Sequence, residues 1–172
     1  MTHKILVIFL VLTFTLKCKA QEADQISFEI SYNQINLTYK NYVSSFPLWI
    51  EPYLGIANQD VNRELDDFTF GVKLGKSIFT FEKSDIYLGI NTGLYFPNNC
   101  CYDVTTPFAG VFCGYEFLLG KTKKHVLFTE IGYRYGQREY SQTYENSQVF
   151  ISTTDKFELT PLSFSIGYGF RF

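Results

Sequence analysis

The sequence predicts an all-β protein: a closed antiparallel up-and-down β-barrel of eight strands that spans a membrane, preceded by a cleavable signal peptide. Three observations carry that reading. Large apolar residues alternate with small or polar ones at a period of two over nearly the whole chain beyond residue 25. Glycines recur four residues apart on the polar side of successive strands. The composition is also unusual, because 172 residues include 18 Phe and 13 Tyr and the aromatic share of 19% equals the charged share.

Each observation closes other options. The apolar content is too high for a disordered chain, and four Cys are too few for a disulfide-dense scaffold. No apolar run beyond the N-terminus is long enough for a helical span. A net charge of −2 leaves no basic face for nucleic acid.

Residues 1–20 have the pattern of an export signal. Lys4 supplies the positive start, and Ile5 to Leu16 form an apolar core interrupted by Thr13 and Thr15. Cys18 and Ala20 precede a cut before Gln21. Lys17 stands where a lipoprotein would need a small residue. Cleavage removes Lys4, Lys17 and Lys19 and no acid, so 15 bases fall to 12 against 17 acids, a charge of −5. The remaining 21–172 read as a single barrel domain with one His and three Cys.

The strands follow in order. Ile26, Phe28 and Ile30 share one face, and the apolar phase then shifts to Ile35, Leu37 and Tyr39. A tight hairpin at Asn33-Gln34 explains the shift, and a bulge in one long strand is the alternative. Leu48, Ile50, Leu54 and Ile56 oppose Trp49, Glu51, Tyr53 and Gly55, with Pro52 weakening that strand. Phe68, Phe70, Val72 and Leu74 oppose Gly71, Lys73 and Gly75. Ile86 to Phe96 oppose Gly89 and Gly93, Ala109 to Phe117 oppose Gly110, Gly114 and Glu116, and Leu127 to Tyr135 oppose Glu130, Gly132 and Arg134. Leu162 to Phe172 oppose Ser163, Ser165, Gly167, Gly169 and Arg171. Connections alternate between short (Val43–Phe46, Lys76–Asp85, Gly120–Lys124) and long (Asn58–Asp67, Pro97–Thr106, Gln142–Lys156), apart from the first hairpin.

Which face points outward decides the environment. Six bulky residues per strand would overfill an eight-stranded interior, and glycines would gain nothing on a wet surface. Inverting the sheet puts the apolar face against lipid, with Tyr and Phe as girdles, and leaves the narrow lumen to small and charged groups. The lumen then receives Glu29, Glu51, Glu116 and Glu130 with Lys40, Lys73, Arg134, Arg138 and Arg171. Near-balanced charge in so narrow a tube points to ion pairs that fill it. A selectivity constriction in a pore is the alternative.

The ending, with Phe164, Ile166, Tyr168, Phe170 and Phe172 on one face, resembles the carboxy-terminal β-signal of Gram-negative outer-membrane barrels. With the export signal and strand pattern, the whole mature chain is similar to the small porin-like or OmpX-like outer-membrane β-barrel families, and its Gln-Glu start and ring content resemble members from Bacteroidota. The resemblance implies an outer-membrane location, outer-membrane lipid around the wall, and insertion by the barrel assembly machinery. It brings no activity with it.

Other motifs carry little chemistry. His125, beside the basic turn Lys121-Thr122-Lys123-Lys124, has no Ser and Asp converging on it. No cofactor- or metal-binding pattern is present. Cys100-Cys101 lack further ligands, and the acidic stretch Asp60 to Asp67 lacks calcium-loop spacing. Asn36-Leu37-Thr38 matches a glycosylation sequon, relevant only in a eukaryotic secretory pathway. The run Val149-Phe150-Ile151 is expected to extend β-structure beyond the membrane. The functional expectation is a non-enzymatic membrane barrel with a structural or surface-interaction role and a surface partner the sequence does not identify. The alternatives are a narrow channel for small solutes and a soluble exported ligand-binding barrel.

Overall fold

The computed structural model describes residues 24–43, 48–58, 65, 67–97, 105–146, 149–159 and 161–172, without the side chains of 138–157. The predicted signal segment, Cys100-Cys101 and most of the acidic stretch from Asp60 lie outside the described residues. Nine strands form: β1 (Gln25–Ser31), β2 (Gln34–Val43), β3 (Leu48–Ala57), β4 (Asp67–Thr80), β5 (Ser84–Phe96), β6 (Thr106–Leu119), β7 (His125–Asn146), β8 (Val149–Glu158) and β9 (Leu162–Arg171).

Eight of them close a barrel, each antiparallel to the next from β1 through β7, with β9 joining β7 to β1. The closure is long-range, pairing Ile26 with Phe170 and Ile30 with Ile166. The first and last described residues meet there, where the Phe172 amide donates to the Asp24 carbonyl at 3.0 Å. Asp24 is held in turn by the Tyr39 hydroxyl and the Asn41 amide at 2.6 and 2.7 Å.

The stagger follows from the register. From Ser27 the pairing steps through Thr38, Tyr53, Gly71, Gly93, Phe108 and Gly136 to Leu159, whose amide bonds the Gly136 carbonyl, whereas Ser27 itself pairs with Gly169, ten residues further on. With ~3.3 Å per residue and ~4.8 Å between strands, that offset tilts the strands by roughly 40° and sets a backbone radius of roughly 8 Å. Ten residues at that tilt rise roughly 25 Å, the height of a lipid-facing belt.

Parity sorts the two faces as the sequence predicts. Phe28, Leu37, Leu54, Leu88, Ile131 and Phe164 lie on the outer wall, with fractional exposures of 48–60%. A continuous apolar exterior of this kind does not occur on a monomer in water. Trp49, Glu51, Tyr53, Lys73, Glu116 and Glu130 point inward and are at most 6% exposed.

Three details differ from the sequence reading, and the placement of Pro52 agrees with it. The first hairpin turns at Tyr32-Asn33, with Ser31 opposite Gln34, one residue earlier than expected. The stretch Lys76–Asp85 is mostly strand: β4 runs to Thr80 through an irregularity between Ser77 and Phe79, leaving only residues 81–83 as the turn. The stretch Gln142–Lys156 is a hairpin, because the end of β7 pairs with β8 from Gln137↔Glu158 to Asn146↔Val149, outside the eight-stranded wall. The run Val149-Phe150-Ile151 predicts β-structure here, and β8 does begin at Val149; the pairing reaches further than that run, as far as Gln137 and Glu158. Pro52 does sit in β3, and the β2–β3 ladder skips the two positions between Thr38↔Tyr53 and Asn41↔Ile50, where Pro52 can offer no N–H.

The lumen is also more aromatic than expected. Tyr42, Trp49, Tyr53, Tyr87, Tyr95, Phe108, Phe112 and Phe128 are all buried in it. Most lie over a glycine directly across the ladder: Trp49 over Gly75, Tyr53 over Gly71, Tyr87 over Gly114, Phe112 over Gly89, Phe108 over Gly93 and Phe128 over Gly167. A methyl group at any of these glycines would meet the ring. Replacing Gly114 with Val should therefore push Tyr87 off the wall and lower unfolding stability by about 1–3 kcal/mol. Urea unfolding followed by the fluorescence of Trp49 checks it, since the chain has one Trp and its ring meets Tyr87 edge-on at 5.4 Å.

Candidate functional site

The alternation that sends apolar residues to the outer wall sends every charged residue of the strand centres inward, where strand pairing stacks them in layers. Nearest the junction of Asp24 and Phe172, Lys40 on β2 meets Glu116 on β6 at 2.9 Å. Arg171 on β9 grips the other oxygen of Glu116, donates to the Tyr42 hydroxyl at 2.7 Å, and reaches Gln25 Oε1 at 3.2 Å. The Lys40 ammonium also lies 4.3 Å from the Trp49 ring centroid and 4.8 Å from that of Tyr87. Aromatic faces thus supply part of the negative field that water would otherwise give it.

The middle layer centres on Lys73 of β4. Its ammonium bonds Glu29 on β1 at 2.9 Å and Glu130 on β7 at 2.6 Å, and Glu51 on β3 lies at 3.6 Å. The Tyr87 hydroxyl donates to the second oxygen of Glu130 at 3.0 Å, and the Asn36 amide to Glu29 at 3.4 Å. Three carboxylates therefore share one ammonium between the Tyr53 and Phe112 rings, whose centroids stand 5.9 and 5.6 Å from it.

The third layer lies toward the opposite end. Arg134 on β7 donates to Gln34 Oε1 at 2.9 Å, to the Tyr95 hydroxyl at 2.5 Å and to Asn33 Oδ1 at 3.2 Å. Tyr95 stacks on Phe108 with ring centroids 4.6 Å apart, and Ala57 and Leu159 pack beside them. Between the second and third layers is a cavity of about 30 Å³, room for about one or two waters. Glu29, Lys73, Asn91, Glu130, Arg134 and Ser165 are among the residues lining it.

Eight of the nine charged residues expected in the lumen are thus inside it, in three groups. The exception is Arg138. Its backbone pairs with Phe157 of β8, past the last β7–β9 pair at Tyr133↔Leu162, so it stands beyond the barrel wall. The sequence reading missed the amide and phenol partners Gln25, Asn33, Gln34, Tyr42, Tyr87 and Tyr95. Their inward parity was the available signal. Asn36 of the sequon is one of the lumenal residues, buried and bonded to Glu29 and Gln34. His125 begins β7 on the outer surface, with Nδ1 2.5 Å from the Tyr168 hydroxyl and its ring against Phe170. Cys113 is a free thiol on the outer wall. Phe164, Ile166, Tyr168, Phe170 and Phe172 all face outward along β9. Among the described residues, no group of three or more His, Cys, Asp or Glu is arranged to hold a metal ion.

A closed barrel, an apolar outer wall and a polar interior give this chain the fold of a small outer-membrane β-barrel. No protein-family model and no curated protein matches the sequence. Among solved structures, the chain is similar to the outer membrane protein AlkL, determined by solid-state NMR in DMPC lipid bilayers, with a TM-score of 0.50 and 15% identity over 91% of this chain and 93% of that one. The de novo designed TMB2.3 aligns with a TM-score of 0.47 and 12% identity over 88% of this chain and 95% of that one. OmpT of Vibrio cholerae aligns at 0.33 and 16%, over 87% of this chain and 42% of that one. At such identity, the likeness to AlkL is one of fold.

Replacing Lys73 with Met leaves Glu29, Glu51 and Glu130 facing one another without a counter-charge. Breaking a buried pair in this way costs about 3–5 kcal/mol, so the urea midpoint of the lipid-folded barrel should drop sharply. Adding Glu29→Gln and Glu130→Gln to the same chain should recover most of the loss. A midpoint unmoved by Lys73→Met would show that the cluster contributes little.

Proposed function

We propose that this protein is a non-enzymatic outer-membrane barrel whose lumen is plugged by its own side chains, serving a structural role in the membrane and a contact role at the cell surface. The observation that carries the reading is the succession of ion-paired, hydrogen-bonded and ring layers from Arg171 to Arg134. Charged side chains cross the lumen between opposite strands, and large rings fill the space between them. Short turns conventionally face the periplasm and longer connections the outside, which directs the end where Asp24 and Phe172 meet inward and the β7–β8 ribbon outward. In that ribbon, among the described residues, 137–146 pair only with β8 and β8 pairs only with β7. Both edges thus offer backbone groups to a partner strand.

The cavity beside Lys73 supports one second reading, a narrow channel for small solutes. Planar-bilayer recording separates the two. The purified barrel should give no large, long-lived conductance steps, and their appearance would replace the plug with the pore. Assembly offers a separate check on the resemblance of β9 to a terminal β-signal. Deleting Phe172 should reduce the fraction of chain reaching the heat-modifiable, folded form in cells, and an unchanged fraction would remove the signal reading.

A further inference from the structure

Among the residues whose side chains are described, the lysines outside the lumen gather on one side of one end. Lys76, Lys83, Lys121, Lys123 and Lys124 are exposed, and all belong to β4 or to the β4–β5 and β6–β7 turns, toward the end where Asp24 and Phe172 meet. The two turns are joined. The Leu118 amide donates to the Lys83 carbonyl at 2.7 Å, and the Lys123 ammonium to the Glu82 carbonyl at 2.8 Å. Gly120 and Lys123 both adopt left-handed backbone angles, with φ of 75° and 54°. For Lys123 that conformation is uncommon, and it gives the turn its compact shape. The Lys124 carbonyl accepts from the Arg171 amide at 2.8 Å, which ties the second turn to the last strand. Lys124 Nζ lies 5.9 Å from the Phe170 ring centroid.

The two turn segments, residues 81–85 and 120–124, carry Lys83, Lys121, Lys123 and Lys124 against Glu82 and Asp85, so the patch is positive. It borders the outer wall directly, where Phe79, Phe81 and Phe172 are 59%, 58% and 56% exposed. On the other side of the same end, β1 to β3 present no exposed lysine among the described residues.

We infer that this patch is a docking surface for anionic phospholipid headgroups in the leaflet at the end where Asp24 and Phe172 meet; the inference rests on the membrane reading. The continuity of the ammonium groups with the apolar wall selects lipid over an acidic protein. Acyl chains covering Phe79, Phe81 and Phe172 bring their phosphates to the level of the two turns, and lysine stems run along apolar surface to reach them. Each lysine close to an anionic surface adds a small, screened attraction, and four on one side sum to a local preference.

The test uses the full chain folded into phosphatidylcholine bilayers with or without a third of phosphatidylglycerol. Lipid retained after extraction in mild detergent is counted by native mass spectrometry. The protein should retain phosphatidylglycerol over phosphatidylcholine by about ten-fold, and added salt should weaken that preference. K83Q/K121Q/K123Q/K124Q should lose it while folding equally well in phosphatidylcholine alone, and the matching four-arginine variant should keep it. Equal retention of the two lipids by the unaltered protein, or an undiminished preference in the glutamine variant, would overturn the inference. Failure of the unaltered protein to insert into either bilayer would instead defeat the membrane reading on which it rests.

Discussion

A tube of eight strands has a backbone radius of roughly 8 Å, which leaves a lumenal ring nowhere to go except flat along the wall. Six of the eight lumenal rings lie where the residue across the ladder has no side chain, and this governs the interior. Trp49 lies over Gly75, Tyr53 over Gly71, Tyr87 over Gly114 and Phe128 over Gly167. Glycine inside a strand ordinarily weakens a sheet. Here each one exchanges its missing side chain for a ring from the neighbouring strand, and the ladder is covered from within.

With the rings laid against the wall, the axis is left for long charged side chains. Lys73 extends from β4 to acids on β1, β3 and β7, and Lys40 from β2 to Glu116 on β6. Charges buried this way do not stabilise a fold simply by attracting each other, because their desolvation cancels much of the gain. Their arrangement has another consequence. Backbone pairing sets the neighbour of each strand but not the shape of the tube's cross-section, whereas contacts from β2 to β6 and from β4 to β1 and β7 hold opposite walls at one separation.

Most of this architecture was legible in the sequence, because the outer wall depends only on parity. A membrane demands large apolar groups at alternate positions with few interruptions, and that demand reads directly off Leu162 to Phe172 or Ile86 to Phe96. Charged lumenal residues followed from the same parity. The rings inside did not stand out by type, since Trp49, Tyr87 and Phe112 resemble lipid-facing residues. Their parity turned them inward, but how a narrow lumen could hold them depends on their register opposite a glycine, a long-range property. The ribbon was legible only in part for a related reason. Gln137 to Glu158 lacks the apolar alternation of a membrane strand because it leaves the wall, so only the run Val149-Phe150-Ile151 signalled its β-structure.

Closure depends on the same interior. The first and last barrel strands lie far apart in sequence, and bringing them together carries the chain-entropy penalty of a distant contact. Before β1 meets β9, Glu29 sits on a free edge strand, and Arg171 and Gln25 belong to opposite edges of an open sheet. Once the edges join, Gln25 pairs with Arg171 in the ladder and receives its guanidinium in the lumen, while Glu29 is held against Lys73. The backbone bonds of the junction and the cross-lumen contacts are therefore formed by one event and lost by one event. An open sheet keeps neither, and in hydrocarbon its unpaired edges would cost several kcal/mol for each exposed group. Closure in this fold is thus close to all-or-none, with the lumenal charges placed where only the closed tube can satisfy them.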